Sequence, residues 1–275
     1  RQTESSPRDS EPIQTKVALK ATYEICSGSA MRASPSISAK SKWQAYSSDS
    51  RRPLMALLMI CPFLFAYHVA VLGEIGDATA NGVDLWLAQL FASLGVTTRL
   101  IVPIFTVGLF LIWHLARGDR WRASPRILAG MACESTIYAF GIFVFASFLF
   151  QTQSSDTSLT VSNWAGWRLI TCCGAGIYEE LVFRMLLLPM TALCLIRVGM
   201  SSKHSWFTSW IGTSILFASL HYSFLNPYGD PFELSTFAFR AGAGVVFGGL
   251  FIKRGIGIAT TAHIGYDLLI VTLGS

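Results

Sequence analysis

Seven long apolar runs follow one another along the sequence after residue 52. The first run holds 21 residues without Asp, Glu, Lys or Arg, and a helix of that length spans about 30 Å, the thickness of one bilayer core. Because the backbone must satisfy its own hydrogen bonds in lipid, each run predicts a transmembrane helix. The runs are residues 53–73, 100–116, 127–150, 165–197, about 205–222, about 236–252 and about 255–273.

Basic residues concentrate in alternate connections between these runs. Arg51 and Arg52 precede the first run, and further Lys and Arg residues follow the second, fourth and sixth runs. The other connections, residues 74–98, 151–164 and 223–235, hold six acidic residues and no Lys or Arg. Since cytoplasmic loops are enriched in Lys and Arg, this alternation predicts seven helices with the N-terminal tail in the cytoplasm.

Composition agrees with a membrane protein that carries a solvated tail. Hydrophobic residues make up 52% of the 275 residues and charged residues 13%, too few charges to cover a water-soluble globule. Residues 1–52 hold 12 Ser, nine basic and five acidic residues, which predicts a disordered, Ser-rich, basic tail. Its basic residues are mixed with acidic ones, which favours the lipid bilayer over nucleic acid as a partner. The predicted fold is therefore an all-α polytopic membrane protein.

Ionisable side chains inside apolar runs are unevenly distributed. Each costs roughly 2.5–3.5 kcal/mol at membrane depth, so such residues usually have a function. The first three runs hold only Glu134, His68 and His114, which we interpret as structural; Glu134 is expected to reach Arg126 or water. Residues 53–164 are therefore predicted to be three supporting helices, and residues 165–275 the catalytic core. The last four runs hold Glu179, Glu180, Arg184, His221, His263 and Asp267.

The spacing of these residues suggests how they interact. On a helix Glu180 and Arg184 are neighbours one turn apart and can pair, whereas Glu179 projects about 100° away without a partner in the sequence. An acid in such a place suits general acid–base catalysis. His263 and Asp267 also lie one turn apart, so they either hold each other or face a shared ion or water.

Three motifs in order, Glu-Glu-x-x-x-Arg, Phe-x-x-x-His and His-x-x-x-Asp, resemble those of the CPBP family over roughly residues 167–270. This family of intramembrane proteases includes CAAX-processing enzymes and bacteriocin-processing or immunity proteins. The resemblance implies a four-helix catalytic core in which Glu179 activates water and Glu180, with Arg184, supports it. It also implies that His221 and His263 converge and that Asp267 takes a position where the family more commonly has Asn.

The resulting prediction is an intramembrane endopeptidase that cleaves a membrane-associated peptide or protein, prenylated or near its C-terminus. Two His and an acid can hold a catalytic Zn²⁺, which makes His221, His263 and Asp267 candidate metal ligands; alternatively the histidines act directly. An ionised Asp267 has no donor for an oxyanion, which favours a metal ligand or an acceptor that orients His263. A catalytically silent binding or immunity protein and a proton-coupled transporter are the alternatives.

Two further expectations concern packing. Gly244 and Gly248 lie four residues apart in the sixth run, which predicts a close helix–helix contact. Counting residues from the helix ends places His263 about 12 Å and His221 about 24 Å from the cytoplasmic side. The two imidazoles can therefore meet only if helices tilt or the predicted boundaries are wrong.

Overall fold

The chain folds almost entirely into helices. A computed structural model describes residues 39–73, 82–98, 100–150, 165–225 and 229–273, and within these ranges there is no β-strand, only an isolated bridge between Tyr222 and Asp230. The helices are α1 (Ala39–Ser50), α2 (Pro53–Leu72), α3 (Gly82–Ser93), α4 (Ile101–Arg117), α5 (Pro125–Phe150), α6 (Ala165–Glu180), a π-helix (Leu181–Leu187), α7 (Leu188–Arg197), α8 (Ser202–Ser219), α9 (Leu234–Arg254) and α10 (Ile256–Leu273).

Four helices in the described ranges are long and apolar enough to cross a membrane: α2, α5, α9 and α10. Helix α4 is apolar but shorter, at 17 residues. The two remaining predicted runs also form helices, α6 to α7 and α8, but their hydroxyl and charged residues lower their hydropathy. The protein is therefore an all-α polytopic membrane protein, as predicted.

Helix α1 occupies part of the segment that the composition predicts to be disordered. The Tyr46 hydroxyl donates to Glu134 Oε2 (2.9 Å), and the Arg254 guanidinium donates to Glu134 Oε1 (2.5 Å) and to Ser47 Oγ (2.7 Å). We call Tyr46, Glu134 and Arg254 the latch. These tertiary contacts overcome the lack of an apolar face on α1, so the prediction of disorder is wrong for residues 39–50. Residues 1–38 lie outside the described residues.

The latch also corrects the expected partner of Glu134. In the described residues Arg254, 120 positions away in sequence, takes the place expected of Arg126 and supplies two N–H donors at 2.5 and 2.8 Å. A contact over that distance in sequence depends on how α5 and α9 pack, which helical spacing does not reveal. His68 and His114 are buried, at 7% and 1% exposure, in agreement with their structural interpretation.

Helix α3 lies in the predicted connection 74–98. Its Leu87 is buried in the same apolar cluster as the core residues of α2 and α6, and its Asp84 accepts a hydrogen bond from the Tyr67 hydroxyl (2.9 Å). The Tyr178 hydroxyl bonds to His68 close by. Helix α3 therefore covers a polar cluster between α2 and α6. The sequence of this 12-residue helix, with an acid in its first turn, does not indicate this role.

Helix α10 lies at the centre of the fold, packed against α2, α5, α6 and α9. Small residues allow this close approach: a Cβ on Gly176 would lie 2.4 Å from the Ile264 side chain, and one on Gly257 would lie 2.9 Å from the Ala56 Cα. The predicted glycine contact is confirmed on the other side of the core. There Gly248 faces the Trp210 ring and Gly244 faces Ser214, both on α8.

The fourth apolar run continues as a helix through Pro189. A π-helix of seven residues precedes this proline, and the Leu188 N–H bonds to the Phe183 carbonyl five residues back. Proline lacks an N–H, and a local change to the wider turn is one way in which a helix accommodates it. Single π turns occur frequently at functional sites, and this one holds Arg184.

Candidate active site

The centre of the site is a buried ion pair between α6 and the π-helix. Arg184 Nη1 lies 3.2 Å from Glu180 Oε1, which confirms the predicted pairing one turn apart, and both side chains are almost inaccessible, at 2% and 0% exposure. Arg184 also donates to the Gly244 carbonyl (3.3 Å) and lies over the Phe217 ring at 4.4 Å. One guanidinium thus connects the π-helix to α8 and α9.

His263 on α10 binds the same carboxylate. Its Nδ1 lies 3.0 Å from Glu180 Oε1, and its ring stacks on Phe247 at a centroid distance of 4.5 Å. Because a carboxylate accepts, Nδ1 carries the proton in this contact, and Nε2 points away from Glu180. Glu180 therefore fixes both the tautomer and the direction of the imidazole.

Two further carboxylates lie in front of His263 Nε2. Glu179 Oε2 is 3.8 Å away and Asp267 Oδ2 is 3.6 Å away, both beyond direct hydrogen-bond range. Their side chains are 12% and 23% exposed, whereas His263 is 6% exposed. The sequence left Glu179 without a partner; packing of α10 against α6 places His263 beside it. Glu179 and Asp267 thus form the more exposed side of the cluster.

His221 joins the site through Phe217. Its Nδ1 donates to the Phe217 carbonyl (2.8 Å), so a neutral His221 presents Nε2 as an acceptor. The Phe217 ring lies 4.9 Å from the His221 ring and 6.1 Å from the His263 ring, and the two distances together limit the separation of the imidazoles to about 11 Å. The two imidazoles therefore lie on either side of the Phe217 ring, within about 11 Å of each other, in spite of their different counted depths.

The turn that carries His221 is held by its own contacts. The Asp230 N–H donates to the His221 carbonyl (2.8 Å), and Ser223 N–H donates to the Asp230 carbonyl (2.9 Å). The Asp230 carboxylate in turn pairs with Arg240 at 2.7 Å, and Arg240 lies over the Tyr222 ring. Residues beyond the end of α8 thus gain a fixed backbone without belonging to a helix.

Comparison with known families places this cluster in context. Residues 161–269, less than half of the chain, match the family described as Rce1-like, type II CAAX prenyl endopeptidase. This segment is similar to the Rce1-like family. No curated protein and no solved structure matches the chain. The Rce1-like segment contains all six predicted site residues, and the CPBP resemblance is confirmed at the level of the family.

The histidines of this Rce1-like site share one feature with zinc ligands. Both histidines donate Nδ1–H to an oxygen, as zinc-ligating histidines usually do. In the part of the chain that the structure describes, however, no three His, Cys, Asp or Glu side chains are grouped so that they could hold a metal. The set His221, His263 and Asp267 does not fit a metal as it stands, and zinc stays a prediction.

The sequence analysis does not identify two aromatic residues of the Rce1-like site, Phe217 and Phe247. Phe247 stacks on His263, and Phe217 separates the two imidazoles while its ring accepts the Arg184 cation. Phe217 opens the Phe-x-x-x-His motif, which is a signal for its importance. Phe247 has no such signal, because in an apolar helix it looks like any lipid-facing or core residue.

Proposed function

We propose that this protein is an intramembrane endopeptidase that hydrolyses a peptide bond of a membrane-associated substrate, with a prenylated or C-terminal segment as the substrate class. The observation that carries the proposal is His263, whose Nδ1 is held by Glu180 while Nε2 faces Glu179 and Asp267. A fixed imidazole between a buried carboxylate and two accessible ones provides base, acid and positioning groups in one place.

In the proposed reaction Glu179 is the general base. It takes a proton from water as the water oxygen attacks the carbonyl carbon of the substrate, forming a C–O bond. When the C–N bond breaks, Glu179 returns the proton to the leaving amine. Its partial exposure supports this role, because the base must reach both water and substrate.

His263 and His221 act on the same carbonyl in this proposal. His263 stabilises the oxyanion from its Nε2 side when doubly protonated, and its position depends on the Glu180–Arg184 pair behind it. His221 Nε2 accepts a hydrogen bond from the attacking water. Asp267, at 3.6 Å from His263 Nε2, favours the doubly protonated imidazole by its charge when ionised, and it donates to the oxyanion when protonated. No step passes through a metal.

The test is cleavage of a quenched membrane-bound peptide by the purified full chain in vesicles, with prenylated and unprenylated versions compared. We expect Glu179→Gln to lower the cleavage rate about 10²- to 10⁴-fold without changing the melting temperature, because only the base is lost. Asp119→Asn, the same chemical change at an ion pair with Arg117, is the control and keeps the parent rate. A parent that cleaves neither peptide, or an equally active Glu179→Gln, contradicts the proposal.

A further inference from the structure

A large cavity opens at the end of the bundle where α2 begins and α9 ends. It has a volume of about 790 Å³, within the range of small-molecule sites, and none of the six site residues lines it. Arg51, just ahead of α2, forms part of its wall, so it lies where the membrane-crossing helices reach the interface with water. Its principal lining residues are Trp43, Arg51, Trp113, Arg117, Trp206 and Phe251.

Three tryptophans from three helices face this cavity, which we call the interfacial cavity. They come from α1, α4 and α8, and Trp43 and Trp206 keep 56% and 37% of their surface exposed. Indole rings prefer the headgroup level of a bilayer, where an apolar ring with one N–H donor meets both lipid and water. The wall therefore suits a molecule that is itself half apolar.

The charged side chains of the cavity wall are two arginines, Arg51 and Arg117. Arg51 uses one N–H on the Ile252 carbonyl (2.6 Å), and Arg117 uses Nε on Asp119 (2.8 Å). Within the described residues these are the only partners of either guanidinium, and no acidic residue lines the cavity. Each arginine thus keeps N–H groups for a ligand, and guanidinium geometry matches phosphate oxygens.

The wall formed by α1 is fixed in place. The latch joins Tyr46 and Arg254 to Glu134, and Arg254 also lies 4.8 Å below the Trp43 ring. Gly255 has a φ of 93°, and a Cβ added to it would lie only 3.3 Å from the Arg51 Cα. Glycine at this position therefore allows Arg51 to approach closely. Preorganised walls reduce the entropy cost of binding.

We propose that the interfacial cavity binds one anionic phospholipid. Its phosphate lies between Arg51 and Arg117, and its glycerol and upper acyl chains lie among the three indoles. Charge complementarity selects an anionic headgroup, and the tryptophans select a lipid over a free anion. The site is independent of peptide cleavage, since it shares no residue with the cluster around His263.

Native mass spectrometry of the full chain in detergent, titrated with phosphatidylglycerol or phosphatidylcholine, tests this proposal. We expect one retained phosphatidylglycerol at concentrations where phosphatidylcholine is not retained. Each basic residue contributes about fivefold to affinity for an anionic lipid, so Arg51→Gln with Arg117→Gln should weaken retention about 25-fold. Arg122→Gln removes an exposed charge that does not line the cavity and should leave retention unchanged.

A second pair of variants covers the case in which the arginine variants fail to fold. Ser48 is exposed and lines the cavity, so Ser48→Glu should repel the lipid whereas Ser48→Gln, nearly equal in size, should not. Equal retention of both lipids, an equal loss with Arg122→Gln, or unchanged retention in Ser48→Glu overturns the proposal. Displacement of the lipid by an equal concentration of inorganic phosphate also overturns it, because the site would then recognise phosphate alone.

Discussion

Arg184 is the residue whose loss should damage the fold as well as the chemistry. It neutralises Glu180, which is fully buried, so Arg184→Ala leaves an uncompensated charge that costs roughly 3–5 kcal/mol. We expect a lower yield of folded protein and a lower melting temperature in detergent, in contrast to Glu179→Gln. Arg197→Ala, at the exposed end of α7, is the matched control. A melting temperature for Arg184→Ala equal to that of the control would mean that Glu180 is neutral without Arg184.

A substitution at Asp267 distinguishes catalysis by side chains alone from catalysis by a bound zinc ion. Asparagine donates a hydrogen bond at every pH, whereas Asp267 donates only when protonated and loses this ability as the pH rises. If side chains alone catalyse the reaction, we expect the cleavage rate of Asp267→Asn to equal or exceed that of the parent. We also expect the variant to stay active to higher pH. The measurement is cleavage rate against pH for both proteins.

Metal removal completes this experiment. Because the described donors do not form a metal-binding group, we expect parent and Asp267→Asn to remain active after treatment with a zinc chelator. An amide oxygen is a poorer ligand than a carboxylate for a divalent cation. Loss of activity in Asp267→Asn, restored by added Zn²⁺, would therefore establish His221, His263 and Asp267 as ligands.

At the scale of elements, helix α1 is held by the latch. Burial, together with the hydrogen bond to Glu134, raises the pKa of Tyr46 from its usual 10.0 to about 12. The neutral tyrosine is thus favoured in the folded protein, and its contribution to stability is complete below pH 10 and lost as the pH rises through about 12.

Tyr46→Phe should therefore cost about 1 kcal/mol at neutral pH, the value of one hydrogen bond, and should remove this loss at high pH. The check is the difference in tyrosinate absorbance between parent and variant during titration, together with their melting temperatures. A tyrosine that ionises near its usual pKa would show that α1 is not docked through this hydroxyl.

The elements also show what the sequence can and cannot predict. Apolar runs predicted α2, α4, α5, α9 and α10 closely, because lipid imposes length and hydrophobicity on each helix separately. Helices α1 and α3 depend on tertiary contacts, such as Tyr46 with Glu134 and Tyr67 with Asp84, which leave no periodic signal. The same holds for the site. Helical spacing predicts the pair of Glu180 and Arg184, but the position of His263 beside Glu179 depends on the packing of α10 on α6, which spacing does not reveal.

At the scale of the whole molecule, the distribution of basic residues predicts a cytoplasmic N-terminal tail. Cys26 lies in that tail, so a variant that keeps only this cysteine should react with a membrane-impermeant maleimide only after cells are permeabilised. A cysteine introduced at Ser155, in a connection without Lys or Arg, should react in intact cells. The reverse pattern of labelling would invert the topology of the entire chain.

The π-helix has a consequence for how this chain tolerates changes in length. A wide turn inside an α-helix accommodates one extra residue, so deleting a residue within Leu181–Leu187 can restore a regular helix and keep α6 and α7 in phase. The same deletion inside α5 or α10 would rotate everything beyond it by about 100°. Within the described residues, Leu181–Leu187 is therefore a segment where a shortened chain can keep the register of its helices, while the displacement of Arg184 leaves Glu180 without its partner. Arg184 therefore lies in a helical segment that holds one residue more than a regular α-helix of the same span.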